Sequence, residues 1–239
     1  MRTFHLCAFD IETGPLPEKE IERIAPPFNE NKVKVGNLGL EKQLEKIRFA
    51  RENHLGKIIS KAALNAEYGR LLAVGFREGR VTSASDSSSK FDALFIEEET
   101  PEGESALLEK VWARLEAARD RRCILAGHNS NSFDLPFLIR RSFVLGVRPL
   151  PEIMPMRRWF PDFCIDTMDA WRMGDYDPEK RISLDRLAKA MGIPGKEGDG
   201  ARFAELFRED RPAAESYLKA DLDATFRVAA RMLPTLRPF

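Results

Sequence analysis

The chain has 239 residues, with 38 Lys and Arg balanced by 38 Asp and Glu, and 43 % of its residues are hydrophobic. This length suits one well-cored domain with room for an insertion, and a net charge of zero excludes a protein that holds nucleic acid through an overall positive field. The three cysteines lack the CxxC spacing of a zinc or redox site, and no apolar run reaches the ~20 residues of a membrane span. We therefore expect a reduced, soluble, cytoplasmic protein with no membrane partner.

Apolar alternation predicts a first strand over residues 3–11, followed by a loop rich in proline and charge. Leu40, Leu44 and Ile47 recur at helical spacing and predict an amphipathic helix over about 38–55, inside an insertion at about 29–62. The run "RLLAVGFREGRVTSAS" predicts two strands joined by a Glu-Gly turn. "FDALFIEEE" then predicts a third strand or its edge.

The second half of the sequence alternates strand and helix. A helix is predicted from about Glu104 to Arg119, a buried strand at "RRCILAGHN", and a helix at "SFDLPFLIRRSFVLG" with Pro136 in its first turn. Residues 151–180 are predicted to be irregular, with a short strand at "FCIDT" and Trp171 as an anchor. A capped helix at "SLDRLAKAMGIPG" and a long C-terminal helix complete an α/β order, which we expect to form a single domain over 1–239.

Two acids stand at the carboxyl end of the first predicted strand. Asp10 and Glu12 are two residues apart, so they point to the same face. Two ionised carboxylates in an apolar sheet are costly unless cations neutralise them, and oxygen-only ligation suits Mg²⁺ or Mn²⁺. The alternative is that the strand ends in solvent and both acids are hydrated.

Further polar residues follow at other element ends. Asp134 comes after a buried strand, where open α/β sheets bind their ligands, although by itself it is better suited to cap the helix that follows. His128 and Asn129 precede it and are equally suited to hydrogen bonds within the loop. Tyr217 and Asp221 are four residues apart on the last helix and share one of its faces.

Taken in order, "FDIET", "GHNSNSFDLPFL" and "YLKAD" resemble the three motifs of the DEDD (DnaQ-like) superfamily of 3′-to-5′ exonucleases. One subclass has a Tyr four residues before the last Asp, and the other has a His five residues before it. Tyr217 stands at the first of these positions and Ser216 at the second, so the chain looks like the tyrosine type, DEDDy. The run before the third motif is also similar to predicted exonucleases related to the proofreading domains of family B DNA polymerases.

The resemblance implies an RNase H-like α/β fold, in which helices flank a central mixed β-sheet and a helical insertion follows the first strand. It further implies two-metal-ion hydrolysis that releases nucleoside 5′-monophosphates from single-stranded 3′ ends, of DNA in preference to RNA. The implied metal ligands are Asp10, Glu12, Asp134 and Asp221, with Asp10 shared between two divalent cations, Mg²⁺ or Mn²⁺. Tyr217 would orient the attacking water.

Substrate contacts are expected from side chains close to these ligands. They are Thr13, His128, Asn129 and Phe133, with Arg157, Arg158 and Trp159 as further loop candidates that are more ordinarily solvated or packed. A catalytically silent RNase H-like binding or scaffolding module and an RNA-directed exonuclease remain as alternatives. The insertion carries eight Lys or Arg against four Glu between Glu30 and Lys61, which fits a strand grip, a solvated face or a partner-docking helix.

Overall fold

The structure is a computed structural model that describes six stretches of the chain. These are residues 3–82, 85–86, 89–153, 163–175, 177–194 and 203–236. The chain forms two compact units: Met1–Thr13 with Leu71–Phe239, named the sheet unit, and Gly14–Arg70, named the insertion unit. The insertion predicted at about 29–62 lies inside the second unit, and the single-domain organisation stays a prediction. Arg157, Arg158 and Trp159 lie outside the described residues.

The described part of the sheet unit contains a mixed six-stranded sheet. Its strands are β1 (Phe4–Pro15), β2 (Gly69–Thr82), β3 (Ser85–Asp86), β4 (Lys90–Phe95), β5 (Ile124–Gly127) and β6 (Cys164–Asp166). The strand order is β3-β2-β1-β5-β6, and β4 also pairs with β2. β5 is parallel to both β1 and β6, whereas β3 and β4 run antiparallel to β2. Because β1, β5 and β6 are parallel, the segments that leave their carboxyl ends emerge at one edge of the sheet.

Helices follow the strands in both units. The helices are α1 (Glu18–Ile24), α2 (Leu40–Glu52) and α3 (His54–Ile59) in the insertion unit, then α4 (Pro101–Asp120), α5 (Asp134–Leu145), α6 (Thr167–Arg172), α7 (Leu184–Ala190), α8 (Phe203–Glu209) and α9 (Arg211–Leu236) in the sheet unit. Short 3-10 helices occur at Glu30–Lys32, Ala62–Leu64, Pro151–Ile153 and Pro178–Lys180. Within the described stretches, none of these helices combines the length and apolar character needed to span a bilayer.

A glycine on β2 determines how closely α9 approaches the sheet. A Cβ placed on Gly75 would lie 2.8 Å from Leu218 Cγ and closer still to Leu222, so any side chain there would push the helix away. Both leucines are fully buried. On the neighbouring turn of α9, Asp223 forms an ion pair of 2.8 Å with Arg77 of β2. Close packing and this ion pair together hold α9 against β2.

A buried ion pair joins α4 to α5. Arg141 donates from Nε and Nη2 to the two carboxylate oxygens of Glu104, at 2.8 and 2.6 Å. The same carboxylate accepts the Leu71 N–H at 2.9 Å. One charged group therefore connects both helices to the start of β2, with its oxygens satisfied by hydrogen bonds as burial requires.

The predicted mixed sheet, its flanking helices and the helical insertion are confirmed, but three local predictions are wrong. β2 runs unbroken through the predicted Glu-Gly turn. Gly79 instead allows the Phe226 side chain to pack closely against the strand, because a Cβ there would lie 3.0 Å from Phe226 Cζ. The segment predicted as a loop after residue 11 continues β1 to Pro15 and then forms α1. Trp171, on the short helix α6, is 46 % exposed and so is not the buried anchor that was predicted.

The three cysteines are free, as the sequence predicts, and Cys7 and Cys123 are buried. Burial raises the pKa of the Cys7 thiol to about 12, which leaves it protonated and unreactive at neutral pH.

Candidate active site

Three carboxylates meet near the carboxyl end of β1. One oxygen from each of Asp10, Glu12 and Asp221 lies within 4.8 Å of the other two, and we call this group the acidic trio. Asp10 and Glu12 alternate with buried Ile11 on β1, so strand periodicity places them on one face. Glu12 is 9 % exposed and Asp221, on α9, is 6 % exposed. Three of the four predicted metal ligands are thus brought together, and their role as ligands stays a prediction.

Asp134 reaches β1 without joining the acidic trio. The parallel register pairs Ala8 with Ala126, and β5 ends one residue later, so β1 runs on past its neighbour. There the Ile11 N–H donates to Asp134 Oδ1 at 3.2 Å. The helix-cap position of α5 belongs to Phe133, and Asp134 is the first helical residue. The Asp134 side chain therefore bonds the strand segment that carries Asp10 and Glu12.

Burial dominates the titration of Asp134. Loss of hydration, with a smaller contribution from the charge of Asp166, raises its pKa to about 7 against the lowering effect of the Ile11 hydrogen bond. A carboxyl with this pKa is about half protonated at neutral pH, and a nearby cation would favour the ionised form. The group is consequently poised to exchange a proton for a cation.

Tyr217 is half-buried and lies one helical turn before Asp221 on α9. Its ring centroid is 6.0 Å from that of Phe203, with the planes tilted by 56°. Phe203 is buried and also contacts Phe207, with their ring centroids 6.2 Å apart. Aromatic packing therefore limits the rotamers that the Tyr217 side chain can adopt.

His128, one of the predicted substrate residues, makes hydrogen bonds within the fold. Nδ1 lies 2.9 Å from Thr167 Oγ1, and Nε2 lies 3.0 Å from the Ile182 carbonyl oxygen. Because a carbonyl oxygen only accepts, Nε2 carries a proton. His128 thereby ties the loop after β5 to α6 and to the segment before α7.

The other three substrate candidates remain partly accessible. Thr13 directly follows Glu12 on β1, and Asn129 has a positive φ of 62° in the loop after β5. The ring centroid of Phe133 is 5.8 Å from that of Phe137, and the Phe133 ring is half-buried. Their contact with substrate stays a prediction.

The sequence interpretation missed Asp166, the last residue of β6. This carboxylate is 5 % exposed and accepts backbone N–H groups from Asn129 and Asn131 in the loop before Asp134. It also caps α6 by accepting the N–H groups of Met168 and Asp169. An Asp at the end of the short strand "FCIDT" was the available signal, since Asp is a preferred helix cap, but its loop partners lie more than 30 residues upstream.

A mixed sheet with a carboxylate cluster at the end of a central strand places the chain among α/β enzymes whose chemistry lies at strand ends. Residues 66–235, more than two thirds of the chain, match the family described as "Predicted 3'-5' exonuclease related to the exonuclease domain of PolB". The chain belongs to this family of 3′–5′ exonucleases, whose substrate class is nucleic acid. The match includes Asp134, Tyr217 and Asp221, and it begins after Asp10, Glu12 and nearly all of the insertion unit.

No curated protein matches the chain significantly. Among solved structures, the chain is similar to a family B DNA polymerase from the hyperthermophilic archaeon Pyrobaculum calidifontis, with 16 % sequence identity and a TM-score of 0.48. The alignment covers 98 % of this chain and 25 % of the polymerase, so the chain spans about a quarter of that protein's length.

Proposed function

We propose that this exonuclease is a divalent-metal-dependent enzyme of the tyrosine type, DEDDy, which removes nucleoside 5′-monophosphates from single-stranded 3′ ends. DNA is the preferred polymer. The observation that carries the proposal is the acidic trio, Asp10, Glu12 and Asp221, gathered within 4.8 Å. Asp134, bonded to the Ile11 N–H between two members of the trio, supplies the fourth carboxylate.

The donor set fits hard divalent cations. All four candidate ligands are carboxylates, and oxygen donors are the preference of Mg²⁺ and Mn²⁺ over softer metals. When bound, two such cations lower the pKa of water and offset negative charge at phosphorus. Asp10 and Glu12 are suited to hold them because they share one face of β1, a strand that lies between β2 and β5 in the sheet up to the point where β5 ends.

Tyr217 is proposed to orient the attacking water rather than to take its proton. A phenol with an ordinary pKa of about 10 is a weak base at neutral pH. Its ring is held against Phe203 one turn from Asp221, so its hydroxyl is directed by packing. Thr13 and Phe133 are proposed to contact the terminal nucleotide, Thr13 through a hydrogen bond and Phe133 through its ring.

The test is cleavage of a 5′-labelled single-stranded DNA and its matching RNA with Mg²⁺, Mn²⁺ or EDTA. We expect a ladder that shortens from the 3′ end, which EDTA and Asp10→Ala abolish and Tyr217→Phe slows. Glu215→Gln, an exposed acid on the same helix as Asp221, is the matched control and should retain activity. A faster RNA ladder would reassign the preferred polymer. If a folded protein binds the strand but shortens neither polymer with either metal, the proposed chemistry is wrong and a silent binding module remains.

A further inference from the structure

Helix α2 of the insertion unit is largely exposed. None of its thirteen residues is buried, only Gln43, Ile47 and Ala50 are half-buried, and Phe49 is 62 % exposed. A helix with so little burial gains little from packing, because helix stability in proteins comes chiefly from tertiary burial. An exposed aromatic ring on such a helix therefore suggests a role in binding.

Charge is unevenly distributed between this segment and the rest of the chain. Between Glu30 and Lys61 there are eight basic residues and four Glu, whereas the remainder has 38 − 8 = 30 basic and 38 − 4 = 34 acidic residues. All eight basic side chains are exposed: Lys32, Lys34, Lys42, Lys46, Arg48, Arg51, Lys57 and Lys61. A local positive surface on a neutral protein attracts polyanions without giving the whole molecule a positive field.

The basic and aromatic side chains share one groove, which we name the α2 groove. It has a volume of about 320 Å³, and its lining residues are Lys42, Glu45, Lys46, Arg48, Phe49 and Glu52. Lys42, Lys46 and Phe49 follow one another at spacings of four and three residues, so they lie along one face of the helix. In proteins that bind single-stranded nucleic acid, basic side chains bind the backbone phosphates and exposed aromatic rings stack on the bases.

Arg51, on the opposite side of α2, contacts the segment that precedes the helix. Arg51 pairs with Glu30 at 3.2 Å, and its guanidinium lies 5.4 Å from the Phe28 ring centroid. It thereby fixes α2 to the segment before it and leaves the opposite face to present Lys42, Lys46 and Phe49. Glu45 and Glu52 in the groove reduce the positive potential, so binding there should be weak and sensitive to salt.

We propose that the α2 groove is a second contact surface for single-stranded nucleic acid, in which Lys42 and Lys46 bind backbone phosphates and Phe49 stacks on a base. The identity of the ligand rests on the proposed function. The groove lies outside the family match, which begins at residue 66. Charge complementarity favours a polyanion over an apolar protein partner, because the groove beside the exposed ring has three basic and two acidic residues and so a net positive charge.

The test measures strand binding separately from cleavage. A 5′-labelled strand of about 30 nucleotides is titrated by fluorescence anisotropy in EDTA across a salt series. Each lost phosphate contact makes the negative slope of log K against log salt shallower by about 0.7, so Lys42→Gln with Lys46→Gln should reduce its magnitude by about 1.4. Phe49→Ala should weaken binding on the order of tenfold. Lys19→Gln with Arg23→Gln, on exposed α1 positions of the same unit, is the matched control and should bind like the wild type.

Cleavage assays distinguish this inference from the proposed function. With Mg²⁺, the α2 variants should raise KM for the long strand and leave kcat unchanged. If no protein cleaves but the α2 variants still lose affinity and salt slope relative to the control, the groove inference holds while the proposed function fails. Wild-type affinity and slope in the α2 variants would overturn the groove inference and leave α2 to a protein partner.

Discussion

Replacing Asp166 with alanine is expected to destabilise the protein far more than the loss of one helix cap would. Oδ1 accepts the N–H groups of Asn129, Met168 and Asp169 at 3.0, 2.9 and 3.3 Å, and Oδ2 accepts that of Asn131 at 2.8 Å. A lost cap costs about 1 kcal/mol and each of the two unsatisfied loop N–H groups about 1–3 kcal/mol, so we expect a fall of about 3–7 kcal/mol in the free energy of unfolding.

Two further variants separate the contributions. Asp177→Ala removes an exposed Asp that caps a short 3-10 helix through the Glu179 N–H, so it measures capping without the loop bonds. Asp166→Asn keeps an oxygen for the Oδ1 partners and presents an NH₂ group to the Asn131 N–H, so its cost should lie between the other two. Urea unfolding curves give all three values.

Activity provides the second readout of the Asp166 variants. The loop that Asp166 holds leads directly into Asp134, and a misplacement of about 1 Å near a reacting centre can reduce the rate on the order of 100-fold. We therefore expect Asp166→Ala to lower kcat for exonuclease cleavage under conditions where the protein remains folded. If Asp166→Ala and Asp177→Ala lose equal stability and cleave at equal rates, the loop hydrogen bonds contribute nothing and the reasoning is refuted.

Three further predictions concern packing, titration and the buried ion pair. Gly75→Ala should lower the free energy of unfolding in urea by about 1–3 kcal/mol, because the added Cβ would clash with side chains of α9. Gly56→Ala, which has open space around its Cβ, is the control and should be neutral or stabilising. Equal effects of the two substitutions would contradict the close approach of α9 to Gly75. Without a cation, the stability that protonated Asp134 contributes is lost as the pH rises through its pKa of about 7. The rise in Tm on adding Mg²⁺ should therefore grow from about pH 6 to about pH 8 in differential scanning fluorimetry, and Asp134→Asn should abolish that trend. Glu104→Gln should cost about 3–5 kcal/mol by removing the carboxylate charge that faces the buried Arg141 guanidinium, and an apolar replacement of both residues should recover most of it in the same denaturation assay.

The residues of the acidic trio could be predicted because each obeys a local rule. Asp10 and Glu12 follow from strand alternation, and Asp221 from its place in a motif on a long helix with an apolar stripe. That they meet was suggested only by resemblance, since the contact between β1 and α9 depends on packing across some 200 residues of sequence. The close approach that permits it rests on Gly75, which in the sequence is one glycine inside an apolar run.

The errors share a physical cause. A turn was predicted at Gly79 because Glu-Gly is typical of hairpin turns. In the structure the strand does not turn there, and the lack of a side chain at Gly79 leaves room for the neighbouring Phe226 ring. Asp166 was overlooked because its partners are backbone N–H groups, which every residue except proline carries and no sequence pattern marks. Tertiary contacts that involve main chain on one side leave almost no trace in the residue types.

Electrostatic repulsion within the acidic trio destabilises the fold by more than the neighbouring packing offsets. At a separation of 4.8 Å, two unit negative charges repel by about 3 kcal/mol for an effective dielectric constant of about 20, and a fully ionised trio contains three such pairs. Burial of Leu218 and Leu222 beside Asp221 contributes about 1.5–3 kcal/mol for each side chain. The repulsion is therefore larger than the packing on this turn of α9 can balance. Bound cations would offset this repulsion at a pH where all three carboxylates are ionised. The same geometry that makes the site costly to fold thus favours the divalent cations that its proposed chemistry requires.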